Sequence, residues 1–556
     1  MVYSMKVVQI ALYLFFTLSF FNALQAQRGY DLYWISFKDK NNSPYSLFHP
    51  QEYLSADAIE RRQRQGIALD STDLPVNPQY IEEILVQSKA ELHLESKWLN
   101  GVGLKVENEQ QATDLLKLSF VRSVKAIGFT RKRMYPKTGI GAREYKDKYR
   151  KRKRYYGDAW IQIKMLNGHY LHRMGYKGTA MKIAILDAGF EYLKETPAFD
   201  SLIAREGILG TRDFVENDDF VLESSNHGRN VLATIAGNLP YLYVGTAPQA
   251  LFYLLKTEDE LGEYTAEEYN WLAAVEYADQ LGVDVINSSL GYYKFDDQDM
   301  NYAYDDLDGN TTIITRAADY AAQKGILVVN STGNEGNNKW KYITAPGDGD
   351  SVLTVGAVDR EGFHAKFSSK GFAQHHILKP DVMARGHTAV IPTQYRYNTQ
   401  YTFGTSFSCP IMAGTVTTLW QAVPYASNMD IVQTLQRCGH QYNHPDTMMG
   451  YGIPNVLSAY HQLTGSVVNI DKKKAIYHHE SAIKDKIDIF IPNSDYSKIQ
   501  VHVFDAYGQK IHSRSLKAKL KDLWHYRISE FKNYPAGTYS IAIEYGKFIY
   551  RILVIK

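Results

Sequence analysis

The chain has 556 residues, of which 45% are hydrophobic and 22% charged, and its 62 Lys+Arg against 60 Asp+Glu leave a net charge of +2. This ordinary globular composition excludes bulk disorder and fibrous repeats, and the near-neutral balance gives no global field for nucleic acid or membrane surfaces. Two Cys are too few for a disulfide framework or a Cys-rich metal site. The length suggests roughly three or four domains.

Residues 1–26 are predicted to be a secretory signal peptide. Lys6 precedes an apolar run over residues 7–21, and Ala26 is a small residue before the expected cleavage site. The run is short for a bilayer span of about 20 residues, which disfavours the alternative of an N-terminal membrane anchor. The mature chain is therefore expected to be secreted, either extracellular or at the cell surface.

Residues 27–130 have the pattern of a small α+β domain. Strand-like runs lie at residues 30–37, 91–98, 101–106 and 120–127, and helical periodicity lies at 56–65, 80–87 and 110–118. Without the first helix, the order is β-α-β-β-α-β, which is the ferredoxin-like or split βαβ arrangement.

Residues 131–155 form a basic linker, which ends in the run Arg150-Lys151-Arg152-Lys153-Arg154. A run of like charge repels itself and stays extended, so the linker is expected to be exposed to proteases. A nucleic-acid-binding arm is the alternative, but the linker has few interleaved aromatic and glycine residues. No nucleic-acid partner is expected.

Residues 156–465 alternate buried strands with helices. Runs rich in Val, Ile and Leu lie at residues 182–186, 251–255, 283–287, 326–330 and 352–358, with helical stretches such as 266–280 and 313–324 between several of them. This alternation predicts an α/β domain with a parallel sheet and helices on both faces. In such sheets, sites form beyond the carboxyl ends of the strands.

Residues 466–556 read as successive short strands, at residues 486–491, 500–504, 509–515, 538–545 and 548–555. Turn residues separate the runs, and this spacing predicts a small β-sandwich. The region lacks clustered titratable residues, so we assign it no chemistry.

Three residues of the α/β region have the chemical types of a nucleophilic site. Asp187 ends a strand run, His227 precedes a predicted helix, and Ser406 enters the apolar helix predicted at residues 411–420. Taken singly, each has an ordinary structural explanation: a turn or cap for Asp187, a cap or packing residue for His227, and an N-cap for Ser406.

Taken together, Asp187-Ala188-Gly189, His227-Gly228 and Gly404-Thr405-Ser406 resemble the signature segments of the subtilisin-like serine peptidases (subtilases, peptidase family S8). The order Asp, His, Ser is that of subtilisin itself. The segments at residues 287–291 and 329–336 also resemble subtilase segments, and the likeness covers about residues 170–460.

The resemblance implies a role for each matching residue. Asp187, His227 and Ser406 would be the catalytic triad, and Asn334 would supply the oxyanion hole. The substrate-binding residues would be Ser289, Leu290, Gly291 and Gly333. Serine needs a base to become a nucleophile, imidazole titrates near neutrality, and the carboxylate fixes the imidazole tautomer.

The chain departs from many subtilases beside these residues. Arg229 and Phe407 stand near His227 and Ser406 and could alter nearby pockets. Cys409 is expected to be a packing residue rather than a nucleophile. Its pairing with Cys438 is left open, since sequence cannot show that the two thiols approach.

The flanking regions extend the resemblance. Residues 27–130 resemble a subtilase propeptide, which would assist folding and inhibit the enzyme until a cut in the basic linker. Residues 466–556 resemble the C-terminal sorting domains of type IX secretion, which implies the secretion machinery as a partner. An ordinary β-sandwich for binding or stability is the alternative.

Six Asp residues between 296 and 308 could supply hard oxygen ligands for a structural calcium ion, namely Asp296, Asp297, Asp299, Asp305, Asp306 and Asp308. A solvated acidic loop is the alternative, so we assign no metal ligands. No cofactor is required by the expected chemistry.

The sequence thus predicts a secreted serine endopeptidase made as a zymogen and acting on polypeptides. A catalytically silent peptide-binding protein on the same scaffold is the alternative. An α/β-hydrolase lipase or esterase is excluded, because residues 404–408 do not have the G-x-S-x-G pattern.

Overall fold

The computed structural model describes residues 30–129, 154–372, 377–464, 477–480, 487–491, 498–517, 524–545 and 548–556. The predicted signal peptide and almost all of the basic linker lie outside these ranges. By its internal contacts the chain divides into two compact units: residues up to Val456 without Arg173–Gly175, and Leu457–Lys556 with Arg173–Gly175.

The N-terminal part of the first unit has the predicted ferredoxin-like arrangement. Its elements are β1 (Leu32–Phe37), α1 (Ala56–Gln65), α2 (Pro78–Ser88), β2 (Glu91–Ser96), β3 (Gly101–Lys105), α3 (Glu109–Thr113) and β4 (Val121–Gly128). The strands form one antiparallel sheet in the order β2-β3-β1-β4. Helix α3 is shorter than predicted, because the chain tightens into a 3₁₀ turn at Asp114–Lys117.

The additional helix α1 forms as predicted, and its ends show why. Ser55 caps it by accepting a hydrogen bond from the Ala58 N–H, and Gly66 ends it in the left-handed conformation (φ 68°). Two consecutive arginines on this helix, Arg61 and Arg62, are almost completely buried. Buried arginines need partners, and theirs lie in the α/β domain.

The segment between the basic linker and the C-terminal strands contains the α/β domain; it begins with two helices and ends at the last described α-helix, most of which belongs to the second unit. Its elements are α4 (Trp160–Met165), α5 (Gly168–Met174), β5 (Lys182–Asp187), α6 (Asp200–Ala204), β6 (Ile208–Asp213), α7 (His227–Ala236), β7 (Asn238–Leu239), β8 (Tyr243–Val244), β9 (Leu251–Lys256), α8 (Ala266–Gln280), β10 (Val285–Ser288), α9 (Ile313–Gln323), β11 (Leu327–Ser331), β12 (Leu353–Val358), β13 (Val382–Arg385), β14 (Ala389–Pro392), β15 (Thr399–Thr402), α10 (Thr405–Ala422), α11 (Asn428–Arg437) and α12 (Val456–Leu463).

Seven of these strands form a parallel sheet in the order β13-β12-β11-β10-β5-β9-β6. Helices α8 and α9 pack together, and α10 packs on α7 and along β10 to β13, so helices flank the sheet as predicted. The sequence patterns missed β6 and β13. The first is a partly exposed edge strand, and the second is a four-residue strand at the opposite edge of the sheet.

The C-terminal unit contains a β-sandwich, as predicted. Its strands are β16 (Tyr477–Glu480), β17 (Ile487–Ile491), β18 (Lys498–Phe504), β19 (Lys510–Lys517), β20 (Trp524–Ile528), β21 (Thr538–Tyr545) and β22 (Phe548–Ile555). They form the sheets β16-β17-β20 and β19-β18-β21-β22. Residues of both sheets, such as Ile489 and Val501, share one buried core.

Short 3₁₀ turns complete the chain, at Pro50–Glu52, Pro197–Phe199, Gln298–Met300, Tyr304–Asp306 and Ser529–Asn533. Among the residues described, no helix combines the length and apolar character needed to cross a membrane.

Candidate active site

Asp187 is the last residue of β5 and is fully buried at the carboxyl end of the central sheet. Its Oδ1 accepts hydrogen bonds from the Ala188 N–H at 2.8 Å and from His227 Nδ1 at 2.8 Å. Its Oδ2 has no hydrogen-bond partner in the described part of the chain. One oxygen of this carboxylate is therefore held in a hydrogen bond with the imidazole of His227.

His227 is the first residue of α7, and Gly228 lets it approach Asp187 closely. A Cβ at Gly228 would lie 2.6 Å from the Gly189 carbonyl oxygen and 2.9 Å from Asp187 Cβ, so only glycine fits between the two segments. Burial lowers the pKa of His227, but the Asp187 charge and hydrogen bond more than offset it, and the pKa lies above its ordinary value. Because Nδ1 is bound to Asp187, Nε2 is the nitrogen left for proton transfer.

Ser406 is the second residue of α10, and Gly404 is the N-cap. This corrects the single-residue interpretation of Ser406 as an N-cap. Pro410 has no N–H, so the Ser406 carbonyl has no intrahelical donor four residues on. That carbonyl accepts a hydrogen bond from Ser289 Oγ at 3.1 Å, and Ser406 Oγ in turn donates to the Ser289 carbonyl at 3.5 Å.

The first turn of α10 lies beside the imidazole. The rings of His227 and Phe407 are 6.1 Å apart between centroids, and α7 packs against α10. The Ser406 hydroxyl is bonded to Ser289 rather than to His227 in this structure. The structure thus pairs Asp187 with His227 and places Ser406 on the adjoining helix, with its hydroxyl directed to the neighbouring strand end.

Asn334 follows β11 and reaches the start of α10. Its Oδ1 accepts hydrogen bonds from the Thr405 N–H at 2.9 Å and from Thr405 Oγ1 at 3.2 Å. The residue is exposed, so with Oδ1 fixed the Nδ2 donors are left for a ligand. The N–H of Ser406 is one of the first-turn donors that have no acceptor within a helix.

The expected substrate-binding residues lie in two neighbouring segments after β10 and β11. Ser289 is buried, Leu290 is half-buried and Gly291 is exposed. Gly291 and Gly333 both lie against Thr344: a Cβ at Gly291 would collide with Thr344 Oγ1, and one at Gly333 would lie 3.0 Å from it.

The buried Thr344 Oγ1 has no hydrogen-bond partner among the described residues. The pattern-based reading missed Thr344, since no motif in its own segment points to this position. Its hydroxyl lies against both Gly291 and Gly333.

Phe407 and Arg229, at which the sequence departs from many subtilases, lie in different surroundings. Phe407 packs beside His227, whereas Arg229 is buried away from the imidazole, with its guanidinium near Thr196 Oγ1 (3.5 Å) and Gln394 Oε1 (3.4 Å). Burial lowers the pKa of Arg229 to about 10.

The two cysteines are both free. Cys409 is fully buried, and its Sγ contacts Asn287 Oδ1 at 3.3 Å and the carbonyls of Ser288 and Val329 at 3.4 Å. Burial raises the pKa of its thiol far above the ordinary value. Cys409 is thus a packing residue, as expected, and it is not paired with Cys438.

The N-terminal α+β domain contacts the helix next to this site. The Glu276 carboxylate on α8 accepts hydrogen bonds from Ser96 Oγ, from the Lys97 N–H at 2.7 Å and from the Trp98 N–H at 3.1 Å. Thr265 Oγ1, just before α8, donates to the Ile127 carbonyl at 3.1 Å. The end of β4 therefore lies at the start of α8.

The acidic segment considered for calcium is occupied by local turns. Asp308 Oδ1 accepts the N–H groups of Asn310 and Thr311 at 2.8 Å, and Asp297 Oδ1 accepts the N–H of Asp299 at 2.9 Å. In the ranges that the structure covers, no three His, Cys, Asp or Glu side chains are grouped so as to hold a metal ion. Calcium binding stays a prediction.

Comparison with known proteins identifies two domain families in this chain. Residues 178–452 match the Subtilase family, and residues 32–139 match the Peptidase S8 propeptide domain of Bacteroidota. The chain is 28% identical to Subtilisin DY of Bacillus licheniformis over 268 residues, covering 48% of this chain and 85% of that protein. It is 29% identical to Subtilisin E of Bacillus subtilis (strain 168) over 305 residues, covering 53% of this chain and 70% of that protein.

Among solved structures, MycP1 from Mycobacterium smegmatis aligns at 18% identity with a TM-score of 0.42, covering 56% of this chain and 89% of that one. The family matches and the subtilisin relatives together identify the peptidase and propeptide parts. This chain belongs to the subtilase family of serine peptidases (peptidase S8), and it carries that family's propeptide domain ahead of its peptidase domain.

Proposed function

We propose that the chain is an exported subtilisin-like endopeptidase, made as a zymogen, in which Asp187, His227 and Ser406 form the catalytic triad. The observation that carries the proposal is the 2.8 Å hydrogen bond from His227 Nδ1 to the buried Asp187 carboxylate. It fixes the imidazole tautomer that a general base needs. Ser406 supplies a hydroxyl on the adjoining helix.

Each residue has one task in the reaction. Ser406 Oγ attacks the scissile carbonyl while His227 Nε2 takes its proton, and the imidazolium is stabilised by Asp187. His227 then gives that proton to the leaving amine as the C–N bond breaks, which leaves an acyl-enzyme. Water, deprotonated by the same imidazole, hydrolyses the ester and restores the Ser406 hydroxyl.

The negative charge that forms on the carbonyl oxygen needs donors already in place. Asn334 Nδ2 and the Ser406 N–H are the two donors, and the N-terminal end of α10 adds a favourable dipole. The support is that Asn334 Oδ1 is held by Thr405, which leaves the amide nitrogen to the cleft. Before substrate arrives, the Ser406 side chain must turn from Ser289 to His227.

The test is the pair Ser406→Ala and Ser408→Ala. Both serines are buried in the first turns of α10, but Ser408 Oγ is bonded to its own helix at the Thr405 carbonyl, 3.0 Å away. Ser406→Ala should abolish peptide hydrolysis, labelling by a fluorophosphonate and self-cleavage of the propeptide, whereas Ser408→Ala should retain all three. A folded wild-type protein that binds peptides but neither turns them over nor reacts with the fluorophosphonate would support the silent peptide-binding alternative.

The propeptide is proposed to inhibit the peptidase until it is cut off in the basic linker. This proposal is supported by the contact between the propeptide and α8, in which the Glu276 carboxylate accepts three hydrogen bonds. Mass spectrometry of the N-terminus of the processed protein should place the cut within residues 131–155. An N-terminus that remains at residue 27 in fully active protein would contradict the zymogen proposal.

Export is proposed to use the signal peptide and the C-terminal β-sandwich. The sandwich has its own buried core, to which both of its sheets contribute, as expected for a separate domain. Deletion of residues 466–556 should leave an active peptidase retained inside the outer membrane of a Gram-negative host. Unchanged secretion of the deleted form would favour a binding or stabilising role for the sandwich.

A further inference from the structure

Three carboxylates lie together between the peptidase active site and the propeptide. Glu258 follows β9, Glu263 lies in the next loop, and Glu267 is in the first turn of α8; we call these three the acidic cluster. Burial and Glu263 raise the pKa of Glu258 to about 8, and burial, Glu258 and Glu263 raise that of Glu267 well above its ordinary value.

The acidic cluster lacks a cation within the described chain. No Lys or Arg side chain there forms an ion pair with Glu258, Glu263 or Glu267. Glu267 is only 3% exposed; its Oε1 accepts the Asp259 N–H at 2.7 Å, but its buried Oε2 has no hydrogen-bond partner. A buried carboxylate oxygen without a partner is costly, which points to a ligand that donates to it.

The acidic cluster belongs to the same edge of the sheet as the triad. The Thr257 N–H, next to Glu258, donates to the Asp187 carbonyl at 3.1 Å. Both Glu258 oxygens accept the Tyr292 hydroxyl at 2.5 Å, and Tyr292 directly follows the substrate-binding residue Gly291. A peptide lying along Gly291 therefore passes the acidic cluster.

The propeptide covers the acidic cluster in this structure. Glu267 lines a cavity of about 20 Å³ closed on the other side by Leu32, His93 and Phe129 of the propeptide. The ring of Phe129 lies 5.2 Å from that of Tyr264, beside the cluster. Departure of the propeptide would open the cluster to substrate.

The order of the chain shows which side of the scissile bond meets the acidic cluster. The described propeptide ends at Phe129, at the cluster, and the linker in which the cut is proposed follows it in sequence. The residues before the cut are thus the ones joined in sequence to Phe129. The sequence after Phe129 continues Thr130-Arg131-Lys132-Arg133, so the chain's own first substrate is rich in cations on this side.

A cationic side chain matches the acidic cluster better than a metal ion. In the described residues no three-ligand metal group is present, and the three carboxylates stand around Tyr292 and main-chain donors rather than around a single point. A guanidinium has five N–H donors in a planar fork and an ammonium has three, which suits several separated acceptor oxygens.

We propose that Glu258, Glu263 and Glu267 bind the side chain of a Lys or Arg residue of the substrate, N-terminal to the scissile bond, and so make this peptidase selective for basic sequences. The inference rests on the proposed peptidase function and names its substrate class. Glu258 and Glu267 are specificity residues in this proposal and take no part in bond cleavage.

The test compares quenched fluorescent peptides that differ at one position, with Arg, Lys, Gln or Glu at each of the four residues before the scissile bond. With the mature enzyme obtained by self-processing of the full chain, one of these positions should favour Arg over Gln by about 10- to 150-fold in kcat/KM, the range of one hydrogen bond to a charged group. The ratio between two peptides is independent of how much of each preparation is active.

Glu258→Gln and Glu267→Gln should each lower the Arg-to-Gln ratio towards 1, because the amide keeps the shape and loses the charge. Glu361→Gln is the matched control, since Glu361 is exposed and paired with Arg360, and it should keep the wild-type ratio. A wild-type ratio within twofold at all four positions, with every peptide hydrolysed, would overturn the specificity inference and leave the proposed peptidase intact. An Arg-to-Gln ratio that keeps its wild-type value when Glu258→Gln and Glu267→Gln are combined would overturn it too. A processed protein that hydrolyses no peptide and takes no fluorophosphonate would overturn both.

Discussion

Replacing Arg61 with methionine should weaken the binding of the propeptide to the peptidase domain without changing the mature enzyme. Arg61 is on α1 of the propeptide and is 1% exposed. All its side-chain hydrogen bonds reach the peptidase domain: to the Lys324 carbonyl at 3.1 Å, the Val283 carbonyl at 2.7 Å, and Asp279 at 2.5 Å to Oδ1 and 3.3 Å to the carbonyl.

The size of the effect follows from this burial. Asp279 stays paired with Arg62 and Lys97 in this variant, but the carbonyls of Val283 and Lys324 lose their buried donor, which costs about 1–3 kcal/mol for each carbonyl. At about 1.4 kcal/mol for each factor of ten, a total loss of at least about 2 kcal/mol means that the cleaved Arg61→Met propeptide should bind at least roughly 30-fold more weakly. Arg64→Met is the control, because Arg64 is partly exposed and its contact with Asp284 is 3.3 Å long, which limits the loss to about 1 kcal/mol.

The assay is the recovery of peptidase activity when the processed, still-bound complex is diluted. The activity on a fluorogenic peptide at each dilution gives the inhibition constant of the cleaved propeptide. Arg61→Met should be active at far higher concentrations than wild type, and Arg64→Met at similar ones. Equal, small shifts for the two variants would refute the reasoning that the buried ion pair anchors the propeptide.

Three further changes test the active site. Asn334→Ala should lower kcat with little change in KM; subtilisin, itself a member of this family, sets the scale for this change at roughly 10²–10³, and a loss below threefold would contradict the oxyanion role. The value of kcat/KM should rise with pH through an inflection above about 6.5, because Asp187 raises the pKa of His227 and the base must be neutral. Asp187→Asn should move this inflection to lower pH. An inflection that does not move would contradict the effect of Asp187 on the pKa of His227. Gly228→Ala should lower kcat/KM by at least about tenfold, as its Cβ would lie 2.6 Å from the Gly189 carbonyl and displace the imidazole; wild-type activity in this variant would show that the helix start can shift freely.

The local elements of this fold could be predicted because each has a periodic pattern and end signals. Helix α1 occupies the predicted residues, since Ser55 and Gly66 mark its ends, and residues 183–186 of β5 are all apolar and buried. The order of the seven-stranded sheet could not be predicted, because parallel strands are joined by crossovers that leave no mark in the strands themselves.

The site was predictable to the extent that it is carried by short segments. Asp187 and His227 were expected together and are hydrogen-bonded. The partners of Arg61 were not predictable, since a charged residue on a helix normally faces water and its acceptors lie more than 200 residues away. Thr344 and Glu267 were missed for the same reason. The residues that they contact are distant in sequence or outside any motif, and only the fold brings them together.

The face of α8 that the propeptide covers determines the surface charge of the enzyme after the propeptide has been removed. Asp279 and Glu276 on this helix are neutralised or hydrogen-bonded by Arg61, Arg62, Lys97 and main-chain groups of the propeptide. When the propeptide is digested, these carboxylates gain water and lose their counter-charges. Hydration of these uncovered acidic side chains opposes rebinding of the propeptide. The mature enzyme should therefore bind an anion-exchange column more strongly than the complex with the propeptide.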